Sequence, residues 1–152
     1  MNVCMFAGHR EAYQSGIDKR LKMAIESVLS SDTTFEFLTG GMGEFDAKAA
    51  AAVRSAKRQH PELDIKLTLV SPYMSNDFNT NKEYYESCFD DIVIPSELAD
   101  VHYKAAIKKR NEWMVDRADY LIAYVYRDFG GASDTLRYAK RKKDIQIMNV
   151  AE

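Results

Sequence analysis

Gly130 and Gly131 lie between an apolar run, Tyr120 to Tyr126, and the polar opening of a helix at Ala132, Ser133, Asp134 and Thr135. Glycine lets the backbone turn sharply and approach a ligand closely. The first turn of a helix has N–H groups without intrahelical partners and carries the positive end of the dipole, so this junction can hold a phosphate. The ordinary alternative is a tight turn with routine capping. Similar residues follow other apolar runs. Gly8, His9 and Arg10 come after Val3 to Phe6, Gly40, Gly41, Met42 and Gly43 after Phe35 to Leu38, and Ser71, Pro72 and Tyr73 after Ile65 to Val70. Arg10 can take a phosphate through a bidentate contact. His9 either donates a hydrogen bond or packs against the next loop.

Arg110 and Met114 share one face of a helical segment, with Asn111 beside Arg110. A cation among mostly apolar neighbours needs a partner. For Arg110 that partner is a carboxylate, such as Asp46 or Asp119, or a bound anion. Asp46 stands in the first turn after the second glycine junction, where the dipole alone favours an acid. Tyr73, Tyr84 and Tyr85 either stack on a base or ribose or simply pack. Trp113 reads as a core or interface residue. The basic run Lys140 to Lys143 suits the solvated last turn of a helix.

Composition narrows the function classes. The chain has 152 residues, is 46% hydrophobic and carries a formal net charge of −2 with a pI near 5.9. That balance argues against duplex nucleic acid as a partner, because a basic surface dominates such binding. Cys4 and Cys88 lack metal-ligand spacing, and His9, His60 and His102 are scattered, so no metal site is expected. GxxxxGK[ST], GxGxxG and GxSxG motifs are all missing. No apolar run is long enough for a membrane span, and Met1 leads almost directly into the first strand without a leader pattern. A reducing cytoplasm is the expected location.

These residues must be positioned by short apolar strands alternating with amphipathic helices. Strands are expected at Val3–Phe6, Phe35–Leu38, Ile65–Val70, Ile92–Ile94, Tyr120–Tyr126 and Ile145–Met148. Helices are expected from Ile17 to Leu29, Glu44 to Gln59, Glu83 to Cys88, Val101 to Arg117 and around Thr135. The polar, Asn-rich stretch from Met74 to Lys82 reads as a loop or flap. The pattern implies an α/β, Rossmann-like three-layer sandwich with a mainly parallel sheet, in one domain over residues 1–152. In such a sheet, ligands bind at the carboxyl ends of the strands, where the glycine-rich junctions converge.

The ordered motifs resemble the SLOG superfamily of Rossmann-like proteins. That group includes the DNA-processing protein DprA, the lonely-guy phosphoribohydrolases and the YpsA-like proteins. Ala7 to Arg10 is similar to the YpsA-type opening. Gly40 to Asp46, with the alanines behind it, is similar to the second-loop motif. Pro72 and Tyr73 close the third strand, and Arg110 to Met114, Asp119, Gly130, Gly131 and Thr135 match the C-terminal signature. The resemblance implies a nucleotide-like ligand held by Gly8, His9, Arg10, Gly40, Gly41, Gly43, Pro72, Tyr73, Arg110, Asn111, Gly130, Gly131, Ala132 and Thr135. It implies no resident cofactor beyond that ligand, and it is compatible with a homo-oligomer. In lonely-guy enzymes, an Arg matching Arg110 and a Glu after the glycine turn cleave a base–ribose bond. Here Phe129 replaces the proline of their PGGxGTxxE motif, and no Glu follows Thr135, so the catalytic candidates that the resemblance implies are Arg110 with Asp46 or Asp134 in place of that Glu.

Three functions follow, in order of preference. The first is binding or sensing of a nucleotide or ADP-ribose-like ligand by a YpsA-like module. The second is a phosphoribohydrolase acting on a nucleoside monophosphate. The third is a structural or partner-binding protein with a vestigial pocket. The glycine junctions favour the first two over the third, and the missing Glu favours the first over the second.

Overall fold

The computed structural model describes all 152 residues. Its strands are β1 (Asn2–Gly8), β2 (Thr34–Thr39), β3 (Asp64–Val70), β4 (Asp91–Val93), β5 (Tyr120–Tyr124) and β6 (Gln146–Asn149). Its helices are α1 (Ile17–Leu29), α2 (Glu44–Gln59), α3 (Asp77–Thr80), α4 (Lys82–Cys88), α5 (Tyr103–Arg117) and α6 (Gly131–Lys140), with a 3-10 turn at Ser96–Leu98. The strands form one sheet in the order β4-β3-β2-β1-β5-β6, and every ladder is parallel. Strand order reverses between β1 and β5, where Gly8 pairs with Tyr124. That is the topological switch point of an open α/β sheet, the usual ligand crevice.

Both faces of the sheet are covered. On one face, Phe6, Phe35, Phe37, Leu67 and Ile122 pack with Leu21, Ile25, Val28 of α1 and Ala49, Val53, Ala56 of α2. On the other, Met5, Leu38, Val70, Leu121 and Ala123 pack with Met114 and Val115 of α5 and Leu136 and Ala139 of α6. Alternate residues of one strand thus enter opposite cores, so the central strands read as continuous apolar runs. The small residues of α2 let it lie close to the sheet. Pro61, just beyond its last turn, cannot continue the helix.

Several expected boundaries move for identifiable reasons. β5 ends at Tyr124 rather than Tyr126 because side chains take the next backbone donors. The Val125 N–H goes to Asn149 Oδ1 and the Tyr126 N–H to His9 Nε2. The stretch from Met74 to Lys82, expected as a loop, contains α3, with the Asp77 N–H bonded to Ser75 Oγ and Phe78 edge-on to Tyr85. α5 begins at Tyr103, where His102 Nδ1 accepts the Lys104 N–H. Of the basic run, Lys140 lies in the last turn of α6 and Arg141 is its C-cap, as expected, but Lys142 turns away. α6 stops at Lys140, and Lys142 Nζ instead donates to the carbonyls of Val115, Asp116 and Ala118, at 2.9, 3.2 and 2.7 Å. It therefore caps the end of α5, placing a cation at the negative end of that dipole. No helix is long and apolar enough to cross a membrane.

Candidate functional site

A cavity of about 370 Å³ opens at the switch point. Its walls come from the end of β1 (Gly8, His9, Arg10, Glu11), the end of β2 (Gly40, Met42), Asp46 of α2, the face of α5 carrying Ile107, Arg110, Asn111 and Met114, and the β5–α6 junction (Arg127, Gly130, Gly131, Ala132, Thr135). The volume is within the range that encloses a small-molecule ligand.

Two helix N-termini face this region, and they differ. At α2, the Glu44 N–H already donates to the Arg10 carbonyl at 2.6 Å. The Asp46 carboxylate also reaches back to the Met42 N–H at 2.9 Å. Protein groups therefore occupy much of that end. At α6, Gly130 is the N-cap at φ 96°, a left-handed conformation suited to glycine, and no side chain caps the helix. The first intrahelical acceptor used is the Gly130 carbonyl, which takes the Asp134 N–H. The N–H groups of Gly131, Ala132 and Ser133 precede it, so the positive end of this dipole is open to the cavity.

The glycines divide in the same way. A Cβ on Gly8 would strike the Phe45 ring at 2.2 Å, and one on Gly40 would lie 2.8 Å from the Arg110 guanidinium. Gly41 and Gly43 back onto Leu69 and Arg10. These four make room for protein. Gly130 and Gly131 have nothing within 4 Å of that position and border open space.

Arg110 is only 2% exposed, yet its partner is neither Asp46 nor Asp119. Nη1 donates to the carbonyls of Val70 and Gly40 at 2.8 and 3.2 Å, Nε donates to Asn111 Oδ1 at 2.8 Å, and Nη2 meets Met42 Sδ. The side chain thus ties the ends of β2 and β3 to α5 while keeping its charge beside the cavity. Asp119 instead accepts the Val3 N–H at 2.9 Å, on the far side of β1. Asp46 is 8% exposed, and burial pushes its carboxyl up to about 6 against the opposing pull of the Met42 N–H, Arg110 and Arg10. A carboxyl group poised near neutrality in a cleft suits proton transfer or pH-sensitive binding.

His9 is buried and accepts the Tyr126 N–H through Nε2 at 3.3 Å, with its ring edge-on to Tyr126. Burial, with Arg127 nearby, lowers its basicity, so it is a neutral latch between the β1 and β5 ends. Thr135 turns its hydroxyl back to the Gly131 carbonyl at 2.8 Å. Asp134 lies outside the cavity, half exposed and paired with Arg137. Pro72 and Tyr73 line a neighbouring cavity with Gly41, and Ser71 Oγ donates to the Tyr73 carbonyl at 2.7 Å. Glu11 and Arg127 also line the cavity and were not among the residues expected there. Arg127 lies over the rings of Tyr126 and Phe129, and its buried Nε has no protein partner. A cation between two aromatics directly after a strand was the available signal. No three His, Cys, Asp or Glu side chains are grouped to hold a metal.

The chain matches no protein-family model. The uncharacterised SPbeta prophage-derived protein YoqJ of Bacillus subtilis (strain 168) is 26% identical over 137 residues, covering 80% of this chain and 79% of that protein. Among solved structures, DNA processing protein A of Helicobacter pylori, described for its single-stranded DNA binding mode, aligns with a TM-score of 0.60. The identity is 14%, over 92% of this chain and 61% of that one, so the chain spans less than two thirds of that neighbour. The structural-genomics target TM1055 aligns with a TM-score of 0.54 and 12% identity, over 91% of this chain and 68% of that one. At these identities the likeness establishes the fold.

Proposed function

We propose that this chain is a SLOG-type, YpsA-like domain over residues 1–152 that binds or senses a nucleotide or ADP-ribose-like ligand at the carboxyl edge of its sheet. One observation carries the reading: the uncapped N-terminus of α6, with Gly130 and Gly131 leaving open space, faces a cavity that also holds Arg127, Arg10 and the Arg110 guanidinium. A phosphate docks on the first turn of α6, where dipole, N–H groups and arginines all favour an anion. The rest of the ligand fills the cavity, whose walls include Asp46 and Met42. A soluble cytoplasmic setting fits this reading, and self-association is compatible with it.

A second reading, cleavage of a base–ribose bond, is favoured by Asp46. It is the buried carboxylate of the cavity, whereas Glu11 is exposed and Asp134 is turned away. A single buried acid without the Glu that follows the glycine turn in lonely-guy enzymes supports at most slow turnover. The ligand of the DprA neighbour, single-stranded DNA, requires a basic track along its backbone, which a net charge of −2 does not favour. A vestigial pocket ranks last.

Calorimetric titration of AMP and ADP-ribose against the wild type and Gly131→Val tests the proposal. The valine projects into the space the phosphate needs. At least a tenfold loss of affinity is expected, with the melting temperature little changed. Equal binding by both proteins removes α6 from the site.

A further inference from the structure

A second cavity, of about 260 Å³, lies over the ends of β2 and β3. Gly40 and Met42 line both it and the main cavity, so the two compartments meet at the β2–α2 turn. Their characters differ. The main cavity is built from glycine junctions, arginines and Asp46. The second is lined by Tyr73, Phe78, Tyr84, Tyr85, Phe89 and Leu69.

The aromatic rings form one packed cluster. Tyr85 is the hub: its ring meets Phe78 edge-on at 5.0 Å and Tyr84 edge-on at 5.3 Å, and stacks with Phe89 at 6.4 Å. Its hydroxyl is tied to Asp77, which fixes α4 against α3. Tyr84 and Tyr73 remain 61% and 43% exposed, and their hydroxyls have no partner within the protein. Large exposed aromatics beside a cleft, on a braced scaffold, are the groups that bind another flat ring by stacking.

Resting on the reading of the main cavity as a nucleotide site, we propose that the aromatic compartment is a second ring-binding subsite, and that the ligand is a dinucleotide. One nucleoside and its phosphate occupy the main cavity, whose volume already suits a complete small ligand. The pyrophosphate runs from the α6 N-terminus toward the Gly40–Met42 wall, and the second nucleoside crosses that wall to lay its base against Tyr84 and Tyr73.

The test compares AMP with diadenosine diphosphate, two adenosines joined 5′ to 5′ through pyrophosphate, by calorimetry on the full chain. The wild type is expected to bind the dinucleotide at least tenfold more tightly than AMP. Tyr84→Ala should remove about a tenfold advantage, the order of one base stacked on one aromatic ring, and leave AMP affinity unchanged. Tyr84→Phe keeps the ring and should keep the advantage. Equal affinities for AMP and the dinucleotide in the wild type overturn the subsite while leaving the main-cavity reading intact. A Tyr84→Ala loss of the same size for both ligands also overturns it. Binding of neither ligand refutes the main-cavity reading, and the subsite with it.

Discussion

Asp46 makes the fold less stable at neutral pH than it would otherwise be, and Asp46→Asn should reveal this. The carboxyl is buried and rises from its ordinary 3.8 to about 6 in the folded chain. Between those values the folded state keeps a proton that the unfolded chain has released. Stability from this group is therefore fully present below about pH 4 and is lost as pH rises to about 6. At 1.36 kcal/mol per pH unit, the displacement corresponds to about 3 kcal/mol. Asparagine has nearly the same shape, and its amide oxygen can still accept the Met42 N–H. Urea unfolding of both proteins from pH 4 to pH 8 measures the effect, and their difference cancels every other titrating group. The variant's advantage should grow by about 3 kcal/mol between pH 4 and pH 7, then stay constant. A flat difference, or one that shrinks with pH, would mean that Arg110 and Arg10 outweigh burial, and the reasoning would fail. A neutral isostere that stabilises at this position also marks a group retained for function rather than for folding.

Arg110→Ala should cost about 2–4 kcal/mol of stability in urea unfolding, because the buried carbonyls of Gly40 and Val70 lose their donor. In protein that remains folded, it should also weaken a phosphorylated ligand by about 1.5–3 kcal/mol and the parent nucleoside much less. Equal losses for both would make its role purely structural. Gly40→Ala should destabilise by about 1–3 kcal/mol through overpacking, since its methyl would lie 2.8 Å from the Arg110 guanidinium; unchanged thermal unfolding would contradict that contact. Release of adenine from AMP, followed by chromatography at high protein concentration, should stay well below about 1 per second. If turnover reaches that rate, Asp46→Asn should abolish it and Asp134→Asn should not.

The central strands and α2 were legible because their causes are local. The runs in β1, β3 and β5 are apolar on both faces, and α2 is bracketed by Gly43 and Pro61. The convergence of the strand-end junctions followed from parallel topology alone. What sequence could not show was decided by distant partners. The end of β5 depends on His9 and Asn149 reaching backbone donors more than a hundred and about two dozen residues away. The partners of Arg110 are main-chain carbonyls, which leave no side-chain signature. Lys142 serves α5 rather than its own helix for the same reason. The α3 turn lacks an apolar period and is held by Ser75 and by packing on Tyr85.

The residues that line the main cavity come from four stretches of the chain, within 6–11, 40–46, 107–114 and 127–135. Its walls are therefore drawn from most of the chain length, and they face one another only when β1 has both β2 and β5 beside it. No half of the chain contains the site, so occupancy and global folding are thermodynamically linked. A ligand at one hundred times its Kd would add about 2.7 kcal/mol to unfolding, spread over the whole cooperative unit. Thermal denaturation in the presence of a metabolite collection can thus identify the ligand without any prior assay of its chemistry.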